Sequence, residues 1–329
     1  MINKINSFIL ISLLLIIFTG YFSFTCRAQE TTSNKFTPPE GKVIFVIGQD
    51  NATIDTYVKN IGITPAGFMF YTSIQNLDGI FEPINHGAGP SYAQHLINKY
   101  PNSVIQIGLY MVNALDGVNQ GKYDDNISKL SDWLKKIKRP VYLRIGYEFD
   151  FDQNDYEPNK YIKAYKRIVD QFRNKQVKNV VYVWHSQAYS TANSVMNWYP
   201  GDEYVDWFGI SYFNQRTKQM DLISDLAKKH KKPLMIAEAT PQGIGTYYAL
   251  NAWERWFEPF FKFVEEKDVK LVSYINSNWE TMPMWKGQGW KDARVEANKK
   301  IKKWWTTEIK KAKYIHSSEN LYKLLNYTP

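Results

Sequence analysis

From Lys42 onward, short runs of β-branched and aromatic residues alternate with longer stretches whose apolar positions recur every three or four residues. The runs predict eight strands, over 42–50, 66–74, 103–112, 140–148, 179–187, 205–213, 232–240 and 269–277. The stretches between them predict helices, most clearly over 123–138, 158–172, 218–231, 249–267 and 292–311. In the first of these, Ile127, Leu130, Leu134 and Ile137 share one face, an apolar stripe suited to packing on a sheet. Residues 75–90 are rich in Gly, Pro and Asn and predict a long loop before a helix over 91–100.

Repeated strand–helix units make a parallel sheet, and eight of them close into a single (β/α)8 TIM barrel. Residues 40–312 are assigned to it, close to the usual size of about 250 residues. Residues 29–39 read as a linker. The tail over 313–329 is expected to pack on the barrel or to be partly disordered.

Two of the strands end in a glutamate. Glu148 closes the fourth and Glu238 the seventh, at the rim where a barrel gathers loops and ligand. Facing carboxyls can break a glycosidic bond, one giving a proton to the leaving oxygen while the other, ionised, attacks the anomeric carbon. Strand alternation sets 144, 146 and 148 on one face, so Arg144 is expected beneath Glu148, lending it positive charge.

These motifs resemble glycoside hydrolase family 26, a group of retaining glycosidases that includes endo-β-mannanases, some β-glucanases and β-1,3-xylanases. The resemblance is strongest over 139–279, where RIGYE keeps an Arg four residues before the acid/base Glu. It implies Glu148 as acid/base, Glu238 as nucleophile, Tyr212 as a hydrogen-bond partner of the nucleophile, and Trp279 as the aromatic floor beneath the sugar being cleaved. The family usually has His before the acid/base, and here Tyr147 stands in that place. A phenol donates a hydrogen bond but holds no positive charge near neutral pH. The strand-five sequence WHSQ also departs from mannanase patterns.

Aromatics make up 16% of the chain. Most belong to the core, but those at strand ends and rim loops are candidates for stacking on sugar rings: Tyr71, Tyr110, Trp184, Tyr189, Trp198, Trp285 and Trp290 beside Trp279. His185, ending strand five, is a candidate sugar ligand without zinc spacing around it. Asp150, Asp152 and Asn154 open like a calcium loop, but Asp155 stands where Gly is needed and Tyr161 where Glu is needed. No metal or cofactor is expected. A chitinase-like hydrolase using Glu148 and Asp150 is a weaker reading, and a glycan-binding protein without turnover is another.

Residues 1–28 read as a secretory leader, with Lys4 ahead of the apolar run 8–18 and Ala28 at the expected cleavage point. The expected destination is secreted or periplasmic. Lipid attachment at Cys26, the sole cysteine, is the alternative, although Ser23-Phe24-Thr25 fits a lipidation motif poorly. The net charge of +9 is concentrated in 291–313, read as a solvated outer helix. A polysaccharide or oligosaccharide is the expected partner. Nucleic acid and a stable protein partner are not, and a monomer is expected. The substrate reading favours β-mannan, with β-1,3-xylan or β-glucan behind it.

Overall fold

The computed structural model describes residues 35–189 and 195–329. The expected leader, Cys26 within it, and residues 29–34 lie outside the described residues. Eight parallel strands form the barrel: β1 (Val43–Gly48), β2 (Gly67–Ser73), β3 (Val104–Tyr110), β4 (Val141–Ile145), β5 (Val180–Ser186), β6 (Trp207–Tyr212), β7 (Leu234–Ala239) and β8 (Leu271–Ile275). Because β1 pairs with both β2 and β8, the ring is closed. A two-residue strand, β9 (Tyr314–Ile315), pairs with the start of β1.

Among the described residues ten α-helices accompany the ring: α1 (Asn51–Ile61), α2 (Ala93–Lys99), α3 (Leu115–Asn119), α4 (Asp124–Ile137), α5 (Pro158–Asn174), α6 (Lys218–Lys229), α7 (Ala249–Ala252), α8 (Glu258–Glu266), α9 (Lys299–Ile309) and α10 (Leu321–Leu324). Their starts follow local chemistry. Asp50 accepts from Thr53 N at 3.0 Å to cap α1, Glu157 caps α5 ahead of Pro158, and Thr217 accepts from Met220 N to cap α6. A wider turn over Trp253–Phe257 joins α7 to α8. The helix expected over 292–311 begins only at Lys299. Before it, other loops take the backbone groups a helix would need: Thr246 donates to Asp292 O and Arg294 O, and Val295 N donates to Asn276 Oδ1.

Alternation along each strand divides the core in two. Ile44, Val46, Met69, Val181, Val183 and Met235 fill the barrel, while Phe45, Phe70, Leu143, Trp184, Phe208 and Ile236 face the helices. At the N-terminal end Trp207 meets Tyr142 edge-on at 5.1 Å. There the tail over 313–329 closes the floor, with Leu321 and Leu325 buried and Tyr327 edge-on to Phe36. No helix among the described residues is long and apolar enough to cross a membrane.

Candidate active site

Glu148 does not end a strand. β4 stops at Ile145, and Gly146 and Glu148 both take left-handed backbone, with φ of 56° and 51°. A Cβ at Gly146 would lie 2.6 Å from Met111 Cε and 2.8 Å from Tyr161 Cε2, so only glycine fits the start of this turn. Side chains hold the turn in place. Asn154 Nδ2 donates to Glu148 O at 2.9 Å and Tyr147 O at 3.2 Å. Asp150, the first residue of the calcium-like run, accepts from Ser186 Oγ at 2.6 Å and Gln187 N at 2.7 Å, tying this loop to the end of β5.

Glu238 reaches the same mouth through a different irregularity. Along β6 and β7, Ile210 pairs with Ile236 but Ser211 pairs with Glu238, so Ala237 is an extra residue. This β-bulge turns Glu238 inward, where an unbroken strand would aim it at the helices beside Tyr212.

Both carboxylates are buried, and oxygens of Glu148 and Glu238 and a ring nitrogen of His185 lie within 4.8 Å of one another. Arg144, fully buried, pairs with Glu238 Oε1 and not with Glu148. The expected arrangement is corrected here, since alternation lapses once β4 has ended. The same guanidinium faces His185 Nδ1 at 3.3 Å, His185 Nε2 faces Ser211 Oγ at 3.0 Å, and Ser211 donates to Glu148 Oε1 at 2.7 Å. Burial and the neighbouring Arg144 hold His185 well below its usual pKa. The imidazole is therefore neutral, accepting at Nδ1 and donating from Nε2. His185 is thus a buried link between the carboxylates, with both nitrogens engaged, and not a ligand facing the mouth.

Burial, reinforced by the nearby Glu238 charge, pushes the Glu148 carboxyl up to about 8; the Ser211 bond and Arg144 pull the other way. One acid is thus kept protonated near neutrality beside another held by a buried guanidinium, the division of labour of an acid and a nucleophile.

Tyr147 packs against Tyr71 at 5.3 Å and Tyr110 at 6.3 Å, and Arg144 lies 5.1 Å from the Tyr71 and Tyr147 ring centres. Desolvation and the Glu238 charge raise both half-buried phenols well above their usual range, so they stay neutral. Tyr110, 38% exposed, forms the outer edge of this wall.

Other sequence-nominated aromatics lie elsewhere. Tyr212 points at the helices, packed on Trp256, Phe260 and Phe263, so it is not the partner of Glu238; Tyr71 and Tyr147 are the tyrosines on that side of the site. Trp184 is fully buried, stacked on Phe149 at 4.4 Å, and donates to Trp198 O. Trp198 is packed beside Phe149 and donates to Tyr156 O. Both belong to the layer between strands and helices. Trp279 is 2% exposed, bonded to Thr240 and covered by Trp285 and Trp290, which present the accessible indole surface in its place. Ser211 and, within the barrel, Gln106 belong to no motif and were missed by sequence reasoning, and Asn154 was noted only for its place in the calcium-like run, not as the residue that holds the Glu148 turn. Inward parity on β3 and β6 is the signal that could have marked Gln106 and Ser211.

The sequence profile of glycosyl hydrolase family 26 matches residues 53–286. A β-1,3-xylanase from Alcaligenes sp. is 32% identical over 94% of this chain and 71% of its own length, and one from Vibrio sp. is 32% identical over 94% and 72%. Among solved structures, a family 26 β-mannanase from Bacteroides ovatus shares the fold with a TM-score of 0.65 at 18% identity, over 88% of this chain and 95% of that one. With a matching profile across most of the barrel and two relatives aligned along nearly its whole length, this chain belongs to glycosyl hydrolase family 26.

Proposed function

We propose that the protein is an exported, retaining endo-β-1,3-xylanase. The observation that carries the mechanism is the carboxylate pair, with oxygens within 4.8 Å, one acid raised by burial and the other ion-paired. Retaining glycosidases separate their carboxyls by about 5 to 5.5 Å, inverting ones by about 6.5 to 9.5 Å to admit a water. Glu238 attacks the anomeric carbon as the bond to the leaving oxygen breaks, and the Glu148 proton goes to that oxygen. Water then opens the glycosyl ester, giving its proton back to Glu148.

The two β-1,3-xylanase relatives move the substrate from β-mannan to β-1,3-xylan, since the mannanase neighbour is similar only in fold. Tyr147 supports the same choice. The wall of Tyr71, Tyr110 and Tyr147 occupies space beside the acids, and a xylosyl ring, without the hydroxymethyl group of mannose or glucose, asks for less room there. Asp150 argues against a chitinase-like reaction, because its carboxylate is committed to Ser186 and Gln187. Retention of both acids argues against a binding protein without turnover. Export rests on the apolar run 8–18 and Ala28, and N-terminal sequencing of the protein recovered outside the cytoplasm checks it.

The test is hydrolysis of β-1,3-xylan, β-mannan and mixed-linkage glucan by the purified protein. Oligosaccharides of several lengths from β-1,3-xylan, with the β-anomer formed first by NMR, are expected. Cleavage of mannan with β-1,3-xylan untouched would overturn the substrate, and an initial α-anomer the mechanism.

A further inference from the structure

The bulge that aims Glu238 leaves one backbone group out of the ladder's regular pattern, and a side chain from across the barrel meets it. Gln106, on β3 and fully buried, donates from Nε2 to Ala237 O at 2.7 Å. Ala237 is the extra residue of the bulge. The pairing of β7 with β8 shifts at the same place: Ile236 pairs with Val272 and Ala239 with Tyr274, leaving Ser273 opposite the irregularity. Ser273 Oγ donates to Gln106 Oε1, which fixes the amide with its NH2 toward Ala237. Met69 Sδ lies 3.0 Å from the same Nε2.

We infer that Gln106 is a positioning residue for the nucleophile, a clamp that holds the Ala237 bulge and so keeps the Glu238 carboxylate aimed at the anomeric carbon; this rests on the reading of Glu238 as nucleophile. The physical reason is the bulge's alternative. A regular β7 would pair Ser211 with Ala237 and swing residue 238 to the side occupied by Tyr212, against Trp256, Phe260 and Phe263. A buried carboxylate among those rings is strongly disfavoured, so the strand does not lose the bulge outright. Without the clamp, though, the carbonyl of Ala237 loses this buried donor, and relaxation of the bulge moves Glu238 relative to Arg144 and the mouth. Gln106 touches neither carboxylate and acts only through the backbone of β7.

The test uses 2,4-dinitrophenyl 2-deoxy-2-fluoro-β-xylobioside, which accumulates the glycosyl-enzyme because its good leaving group speeds the first step and the fluorine slows the second. In the wild type the label is expected on Glu238 by peptide mass. Gln106→Met keeps the side-chain length and removes the donor. Its labelling rate is expected to fall about a hundredfold, the scale of a misplacement near 1 Å, while KM for xylo-oligosaccharides stays near the wild-type value. Gln106→Glu can donate to Ala237 O only when protonated, so its labelling rate should rise toward wild type as pH falls. A purely structural glutamine would not give that pH dependence. Wild-type labelling rates at every pH in both variants, with Glu238 labelled, would overturn the clamp. If Gln106→Met fails to fold, Gln106→Glu decides alone by whether its rate depends on pH differently from wild type. A label on another residue of the wild type refutes the nucleophile reading itself, and the clamp with it.

Discussion

Replacing Ser211 with alanine removes a single hydroxyl from between the two halves of the site. In the native protein that hydroxyl donates to Glu148 Oε1 at 2.7 Å and receives His185 Nε2–H at 3.0 Å. A hydrogen bond to an ionised carboxylate contributes about 1.5 to 3 kcal/mol and one to a neutral group about 1 kcal/mol, so the ionised form of Glu148 is favoured by roughly 0.5 to 2 kcal/mol. At about 1.36 kcal/mol per pH unit, Ser211→Ala should raise the Glu148 pKa by roughly 0.4 to 1.5 units. The sign follows directly: losing a bond that favours the charged form lets the acid keep its proton to higher pH. With Glu148 as the proposed acid, activity needs it protonated and is lost as pH rises through its pKa, pushed up to about 8 in the native protein. The alkaline limb of kcat/KM, which reports the free enzyme, should therefore move upward. Initial rates on β-1,3-xylan between pH 4 and pH 10, with stability checked at each pH, measure it. An alkaline limb that stays put or moves down would refute the coupling through Ser211.

Three further perturbations follow from the same geometry. Glu238→Ala should abolish turnover while glycan binding in affinity electrophoresis persists, because the nucleophile goes and the aromatic wall stays; turnover above a few per cent of wild type would remove Glu238 from that role. Gly108→Ala places a Cβ 2.5 Å from Tyr71 Cδ1 and 2.9 Å from Arg144 Nη2, so it should cost about 1 to 3 kcal/mol in thermal unfolding and depress kcat with it; an unchanged kcat would show that Tyr71 and Arg144 can shift without consequence. Tyr212→Phe alters only the helix-facing layer and should leave kcat within about twofold, a change under ~0.5 kcal/mol, whereas a hundredfold loss would return Tyr212 to the site.

The barrel was legible because its determinants are local and repeated: a run of β-branched and aromatic residues at each strand and an amphipathic face after it. The two glutamates were legible for a weaker reason, their place at strand ends, and in both cases the details were hidden. Alternation predicts side-chain direction only while a strand stays regular. β4 ends before Glu148, and β7 carries a bulge before Glu238, so parity placed Arg144 with the wrong carboxylate. Elsewhere parity held and could have been used more strictly. Trp184 and His185 are neighbours on one strand and cannot share a face, just as Ser211 and Tyr212 cannot. In each pair the conspicuous aromatic went to the helices and the smaller polar residue to the site. Trp279 failed as a floor for a different reason: only tertiary contact reveals that Trp285 and Trp290 cover it.

The pairing that closes the ring also sets when the ring can close. On the edge away from β2, β1 finds its partners only at Leu271–Ile275 and Tyr314–Ile315, more than 200 residues further along the chain. During synthesis, seven strands and their helices can emerge before β8 exists to pair with β1. Until then β1 and β7 each present an unpaired edge of apolar residues, a surface prone to joining another chain. Contacts so distant in sequence also make closure slow. Chaperone capture, or a propensity to aggregate when overproduced, should therefore track how long the ribosome takes to deliver the last strands, and truncations within β8 should be recovered as insoluble protein and not as a smaller, stable barrel.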